Sequence, residues 1–136
     1  MNPDKIRIET FDGEGLKRAI ESDSWFVGIK NWKPANDAAQ FYMIERHLQT
    51  EEVFVLLAGG CTLLIDHSDA NDHSDVRCIP MERNKVYCVP RGVWHNTITT
   101  RDAKLILMEN RTTSNENSEM YTLNAAELAI LRKNLA

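Results

Sequence analysis

With 136 residues, 43% of them hydrophobic and 26% charged, the chain fits one globular domain, residues 1–136, long enough to close a real core. A formal net charge of −4, with Lys and Arg scattered rather than striped, argues against a nucleic-acid partner. The longest apolar stretches, residues 53–58 and 63–65, are far too short to span a membrane, and the N-terminus lacks the basic-then-apolar layout of a secretion signal, so a cytoplasmic location is expected.

In chain order, residues 5–9 alternate, with Ile6 and Ile8 on one face, and predict a first strand. Residues 12–22 predict a short helix. The aromatic and β-branched run 25–29 predicts a strand, and Pro34-Ala35-Asn36-Asp37 then breaks the chain, because Pro fixes φ and Asn and Asp favour turns. A strand is expected over 40–47. Runs 53–57 and 61–66 flank Ala58-Gly59-Gly60, which signals a hairpin. Residues 66–75 form a polar loop in which His67 and His73, among Asp66, Asp69, Asp72 and Asp75, read as solvated turn residues rather than a metal cluster. Strands over 76–79, 85–89, 95–99 and 103–109 follow, then a surface turn at 115–118. A C-terminal helix is predicted over 125–133, with Asn124 as its N-cap and basic residues near its end.

Eight or nine short strands and one terminal helix fit an all-β double-sheet jelly-roll barrel. Cys61, Cys78 and Cys88 are odd in number, have no CxxC spacing and each lie in an apolar run. They read as small core residues with no disulfide. Trp25, Trp32 and Trp94 read as core or barrel-mouth packing.

Two windows carry ionisable residues at informative spacing: Glu45-x-His47-x4-Glu52-x6-Gly59 and Asn84-x5-Pro90-x-Gly92-x2-His95. Alternation on a strand turns Glu45 and His47 to the same side, with Phe41 and Met43 expected beside them, and turns Arg46 away. A carboxylate on such an inward face is costly unless it is paired, hydrogen-bonded or metal-bound. The turn at Pro90-Arg91-Gly92 delivers His95 to the start of a strand. Two imidazoles with one or two carboxylates suit Mn, Fe, Ni or Zn; the other reading is a neutral polar network under the barrel mouth.

These windows resemble the two motifs of the cupin superfamily, whose double-stranded β-helix binds a divalent metal with residues of both. The resemblance puts His47, Glu52 and His95 at ligand positions. Glu45 stands where the family has its first His, Asn84 replaces the leading Gly of the second motif, and Thr99 its closing Asn. A narrower resemblance, across residues 27–109, is to ureidoglycolate lyases: Pro34-Ala35-Asn36, Glu45-Arg46-His47 and Val93-Trp94-His95 occur in the same order at compatible spacing. Glu52 and Asn96-Thr97 depart from that family's pattern.

The resemblance implies a lyase releasing glyoxylate and urea from a small hydroxy-ureido acid. His47, His95 and Glu45 would be catalytic, Glu45 joining the metal ligands His47, Glu52 and His95. Lys30, Lys33 and Arg91 would be the cations that meet the substrate carboxylate. The same fold could instead serve a non-catalytic module that senses or stores a small ligand. A homodimer is expected, because cupins pair by their sheet edges and edge strands need covering.

Overall fold

In the computed structural model, described over residues 5–68 and 73–135, the chain folds into two five-stranded sheets, paired antiparallel throughout. The first holds, in spatial order, β1 (Leu16–Glu21), β2 (Trp25–Asn31), β9 (Lys104–Asn110), β4 (Glu52–Ala58) and β7 (Val86–Val89). The second holds β10 (Ser118–Thr122), β3 (Met43–His47), β8 (Trp94–Thr99), β5 (Cys61–Asp66) and β6 (Arg77–Pro80). Helix α1 (Ala125–Leu135) closes the chain. This is the double-sheet all-β barrel with a short C-terminal helix that the strand spacing predicts.

Period-2 alternation sorts the side chains. Phe26, Phe54, Leu56, Leu63, Leu105 and Leu107 face one another between the sheets and form the main core. A second cluster lies on the outer face of the second sheet, where Ile44, Leu64, Trp94 and Ile98 meet Leu131 of α1. Phe41 belongs to this outer cluster and not beside Glu45 as expected, since β3 begins only at Met43. Asn124 caps α1 as predicted: its Oδ1 accepts from the Glu127 amide at 2.9 Å while the Glu127 carboxylate accepts from the Asn124 amide.

Four other expectations are corrected. The segment 5–9 is extended but unpaired, with Ile6 and Ile8 88% and 83% exposed; alternation supplied an apolar face but no strand took it up. Residues 16–21 form β1 rather than part of a helix, because pairing along β2 supplies backbone partners that outweigh local propensity. The strand β10, absent from the sequence reading, adds to the edge of β3. Finally, β4 and β5 are not a hairpin. They lie in different sheets, and Gly59 and Gly60 carry the chain across. Gly59 sits at φ +66°, where a Cβ would come within 2.6 Å of the Ala103 backbone, and Thr100 bonds both backbone groups of Gly60. The two glycines that signal a tight turn serve a crossover instead.

His73, read as a solvated loop residue, is instead held firmly. His73 is buried, its Nδ1 2.6 Å from Asp66 Oδ2 and its amide donating to Glu127. Its ring meets the edges of Trp94 and Tyr121. Asp69 and Asp72 lie outside the described residues, and His67 and Asp75 are exposed. Of the cysteines, all free, Cys61 is buried, Cys78 half-buried and Cys88 exposed beside Glu51; Cys88 faces out from the edge strand β7 and is not a core residue. Trp32 and Trp94 are buried and Trp25 is partly exposed.

Candidate metal and acid–base centre

Four strands deliver ionisable groups to one end of the space between the sheets. The register sets Glu45 opposite His95 on β3 and β8, and Glu52 opposite Glu109 on β4 and β9, so all four project inward from facing sheets, with His47 two residues beyond Glu45. The turn at Pro90–Gly92 fixes the height of His95. Gly92 has φ +77°, and its amide donates to the His47 carbonyl at 2.8 Å, tying the end of β3 to the start of β8. Asn84, standing for a family glycine, adopts φ 68°, a left-handed conformation that Asn tolerates.

Glu52 is the hub. Its Oε1 lies 2.9 Å from His95 Nε2 and 3.2 Å from His47 Nε2. The distal nitrogens are held from outside: His95 Nδ1 donates to the Val93 carbonyl at 3.0 Å, and His47 Nδ1 lies 2.8 Å from Ser118 Oγ. Both rings therefore turn Nε2 inward, the arrangement that orients metal-binding imidazoles. Glu45 Oε1 is 3.9 Å and Glu109 Oε2 3.6 Å from His47 Nε2. His47, Glu52, His95 and Glu109 are buried, whereas the Glu45 side chain is 39% exposed; Glu45 is the member that reaches solvent.

The electrostatics follow from crowding three carboxylates and two imidazoles. Burial alone would raise the pKa of Glu52, but hydrogen bonds from His47 and His95 override it and hold the carboxyl well below the ordinary range. Burial would lower His95, yet its bond to Glu52 raises it, so this imidazole holds its proton longer than a free one. Glu109 is pushed up to about 9, first by burial and then by the charge of Glu52 beside it, and remains protonated at neutral pH. Its Oε2 has no hydrogen-bond partner.

A metal fits this donor set. Two groups of three ligand atoms, Glu45–His47–His95 and His47–Glu52–Glu109, each keep their atoms within 4.8 Å of one another. Glu109 Oε2 has no hydrogen-bond partner of ordinary geometry, an uncommon state for a buried carboxyl. The cavity lined by Lys30, Glu45, Glu52, Phe54, His95 and Thr97 holds about 20 Å³, room for one water or one ion.

Glu109 was missed in the sequence because it closes an apolar run. The signal was there: on β9 Leu105, Leu107 and Glu109 share the inward face, so the last of them is a carboxylate at a core position. Among the cations, Lys30 lines the cavity and is buried enough to lower its pKa. Lys33 is exposed at the start of the 3₁₀ turn Pro34–Asn36, near enough to Lys30 to repel its charge. Arg91 lines a separate surface groove with Trp25 and Met108; the structure does not bring it to the cavity. Arg46 turns away, as alternation predicts, pairing Glu119 and covering the Trp94 ring.

No protein-family model and no curated protein sequence matches the chain. Solved structures do. A variant of Pac13 from Streptomyces, solved with uridine, is 13% identical over 89% of this chain and 91% of that one, with a TM-score of 0.59; Pac13 is described as a unique nucleoside dehydratase. A cupin-2 domain protein from Shewanella frigidimarina is 20% identical over 74% of this chain and 85% of its own, at TM-score 0.52. KdgF from Halomonas is 8% identical over 74% and 81%, at 0.54. At such identities the likeness is one of fold, and the fold is the cupin barrel. It does not extend to the narrower resemblance to ureidoglycolate lyases.

Proposed function

We propose that the chain is a cytoplasmic, metal-dependent lyase of the cupin fold acting on a small polar hydroxy or ureido acid, with ureidoglycolate as the first substrate to test. The observation that carries the reading is the convergence of His47 Nε2 and His95 Nε2 on one oxygen of Glu52, with Glu45 and Glu109 at its margin. His47, His95, Glu52 and Glu45 would hold the divalent ion (Mn, Fe, Ni or Zn), with Glu109 a fifth donor once it loses its proton. Such an ion polarises a substrate hydroxyl and lowers its pKa.

The chain's own residues supply the rest. In cleavage of a carbinolamine the hydroxyl O–H gives up its proton, the carbon–oxygen bond becomes a carbonyl, the carbon–nitrogen bond breaks, and the departing nitrogen takes a proton. Glyoxylate and urea result. Glu45, whose side chain reaches solvent, would accept the hydroxyl proton. His95, whose pKa is raised by Glu52, would donate to the leaving nitrogen in a metal-free reaction; with its Nε2 on an ion, the protonated Glu109 would be the acid instead. His47 orients the shared carboxylate, and Lys30 offers a buried ammonium for the substrate carboxylate. Support comes from the three tripeptides shared with ureidoglycolate lyases, and from a dehydratase, another elimination catalyst, among the fold's neighbours.

A second reading, a non-catalytic metal-dependent binding module, is favoured by one observation: a cavity of about 20 Å³ admits an ion and no organic acid. Turnover therefore requires the Glu45 side to open. The deciding experiment supplies Mn, Fe, Ni and Zn to the metal-free protein and assays glyoxylate release. Turnover that depends on metal and disappears in His95→Ala is expected. Metal binding without turnover of ureidoglycolate or related acids would leave the binding module.

A further inference from the structure

Strand β8 continues the polar lining of the barrel past the histidine centre. His95, Thr97 and Thr99 point inward in turn, where an apolar core would take Val or Ile. Thr97 and Thr99 are 2% and 4% exposed, and neither Oγ1 has a hydrogen-bond partner, an uncommon state for buried hydroxyls. The two differ in what lies before them. Thr97, together with Lys30 of β2, lines the cavity of about 20 Å³, and Thr99 does not.

The cavity lies where two strands part. The register pairs β3 with β8 at Glu45 and His95, and beyond that point side chains replace the backbone ladder. Asn96 Nδ2 donates to the Met43 carbonyl at 2.9 Å, and Asn96 Oδ1 accepts from the Thr97 amide at 2.8 Å. Asn36 Nδ2, from the 3₁₀ turn, donates to the Thr97 carbonyl at 2.9 Å. The Thr97 backbone is thereby satisfied from outside, and its hydroxyl is left facing in. Lys30 arrives from the other sheet and forms no ion pair among the described residues, with Glu52 and Glu45 as its neighbouring opposite charges. His47 and Glu109 are not in the cavity wall, so this space lies beside the donor cluster, and an ammonium in its wall favours an anion there.

We propose that Thr97 Oγ1 and Lys30 Nζ form a seat for one oxygen of the substrate carboxylate, so that the substrate is a 2-hydroxy acid held carboxylate-first. The proposal rests on the lyase reading above and adds the geometry of its substrate. Glu52 and His95 are walls of the seat as well as members of the acid–base centre, and the seat has room for a single oxygen. The carbon bearing the reacting hydroxyl must therefore be bonded directly to the carboxylate carbon. Glu45 lines both this cavity and an outer recess of about 130 Å³ beside Ser118 and Met120, which places the leaving nitrogen toward that recess. The Thr97 hydroxyl donates to the carboxylate, and Lys30 offsets the repulsion that Glu52 and Glu45 exert on an incoming anion.

Calorimetric titration with glycolate, the smallest 2-hydroxy acid, tests the seat apart from turnover, on the protein as purified and after zinc loading. Glycolamide, which lacks the charge, and 3-hydroxypropionate, one carbon longer, serve as comparisons. The wild type should bind glycolate with a Kd of about a millimolar, given so few atoms, and each comparison at least about tenfold more weakly. Thr97→Val should weaken glycolate about tenfold and Lys30→Met at least about 30-fold, with zinc content unchanged. Thr99→Val, which removes the other unpartnered hydroxyl, should leave glycolate binding as it is. Thr97→Val should also keep or raise the melting temperature, because it discards an unsatisfied polar group. Glycolate binding that is absent from the wild type, or indifferent to Thr97→Val, overturns the seat even where ureidoglycolate is turned over. Binding that follows Thr97 and Lys30 without turnover of ureidoglycolate supports the seat and overturns that substrate in favour of another 2-hydroxy acid.

Discussion

Two buried histidine–carboxylate clusters occupy this small barrel, one between the sheets and one beneath α1, and they differ in how completely their polar atoms are matched. In the second, Asp66 accepts from His73, Glu127 accepts from the His73 and Asn124 amides, and Tyr121 donates to the same Glu127 carboxylate. Each carboxylate oxygen there has a donor, and the cluster joins a loop, a strand and the helix. In the first, three carboxylates face two imidazoles, two ring nitrogens compete for one oxygen, and an oxygen of Glu109 stays unmatched. A matched network holds structure together; an acceptor-rich one offers lone pairs that could take up a cation.

The sharpest way to break that contrast is to remove one imidazole from each. His95→Ala should lower affinity for Mn or Zn at least about 100-fold, since the loss of even an outer-shell partner costs 10–100-fold, while His73→Ala leaves metal content at the wild-type level. Elemental mass spectrometry after equilibrium dialysis reads both. Equal losses would mean that the inner cluster is no more a metal centre than the outer one.

Stability should show the reverse order. Asp66→Ala strands His73 in a buried site and should cost about 3 kcal/mol in urea unfolding, the usual scale for breaking a buried pair, with metal content unaffected. Glu45→Ala, at the solvent margin of the inner cluster, should cost under about 1 kcal/mol and act on affinity instead. A stability loss at Glu45 matching that at Asp66 would erase the distinction.

Legibility in the sequence follows the same division. Alternation and turn residues predict the barrel, and the spacing of His47, Glu52 and His95 predicts the hub, because on strands spacing translates directly into facing. What escaped depends on pairing between distant segments. The strand β10 forms only because β3 offers an edge, and Gly59–Gly60 reads as a hairpin unless the other sheet is already in place. His73 reads as a loop residue because its partners, Asp66 and Glu127, come from a strand and a helix 54 residues away in the latter case. Glu109 was hidden by its apolar neighbours, although its phase on β9 marks it as inward.

Acid and base responses distinguish the clusters further. Glu109 has a folded pKa of about 9 against an ordinary 4.5, and His95 is raised as well. A raised group stabilises the fold fully below its unfolded pKa and ceases to do so as pH climbs through its folded value. The metal-free protein should therefore lose stability from about pH 5 to 9, with a slope of up to about 1.4 kcal/mol per pH unit for each proton involved. Glu52 acts oppositely: its contribution persists above its unfolded value and fades only in strong acid. Glu109→Gln removes a titrating group without altering shape, so thermal melts should show a flatter dependence above pH 6. Saturating metal should flatten the wild-type curve too, since the ion replaces the proton on Glu109. A slope unchanged in Glu109→Gln would place the proton elsewhere.

The smallest effect tests how tightly the outer cluster is built. Asn124→Ala removes the side chain that accepts from the Glu127 amide and should cost about 1 kcal/mol, the ordinary price of an N-cap. Glu127, however, serves two masters, closing the capping box and receiving the His73 amide. If the two roles are mechanically joined, a double-mutant cycle between Asn124→Ala and Asp66→Ala should show a coupling of about 0.5 kcal/mol or more, because loosening the cap frees the carboxylate that positions His73. Additive costs in urea unfolding would mean that the helix start and the Asp66–His73 pair are separate fixtures sharing one side chain. Coupled costs would make the loop, β5 and α1 one cooperative unit, leaving the inner cluster free to exchange its proton for a metal without moving the helix.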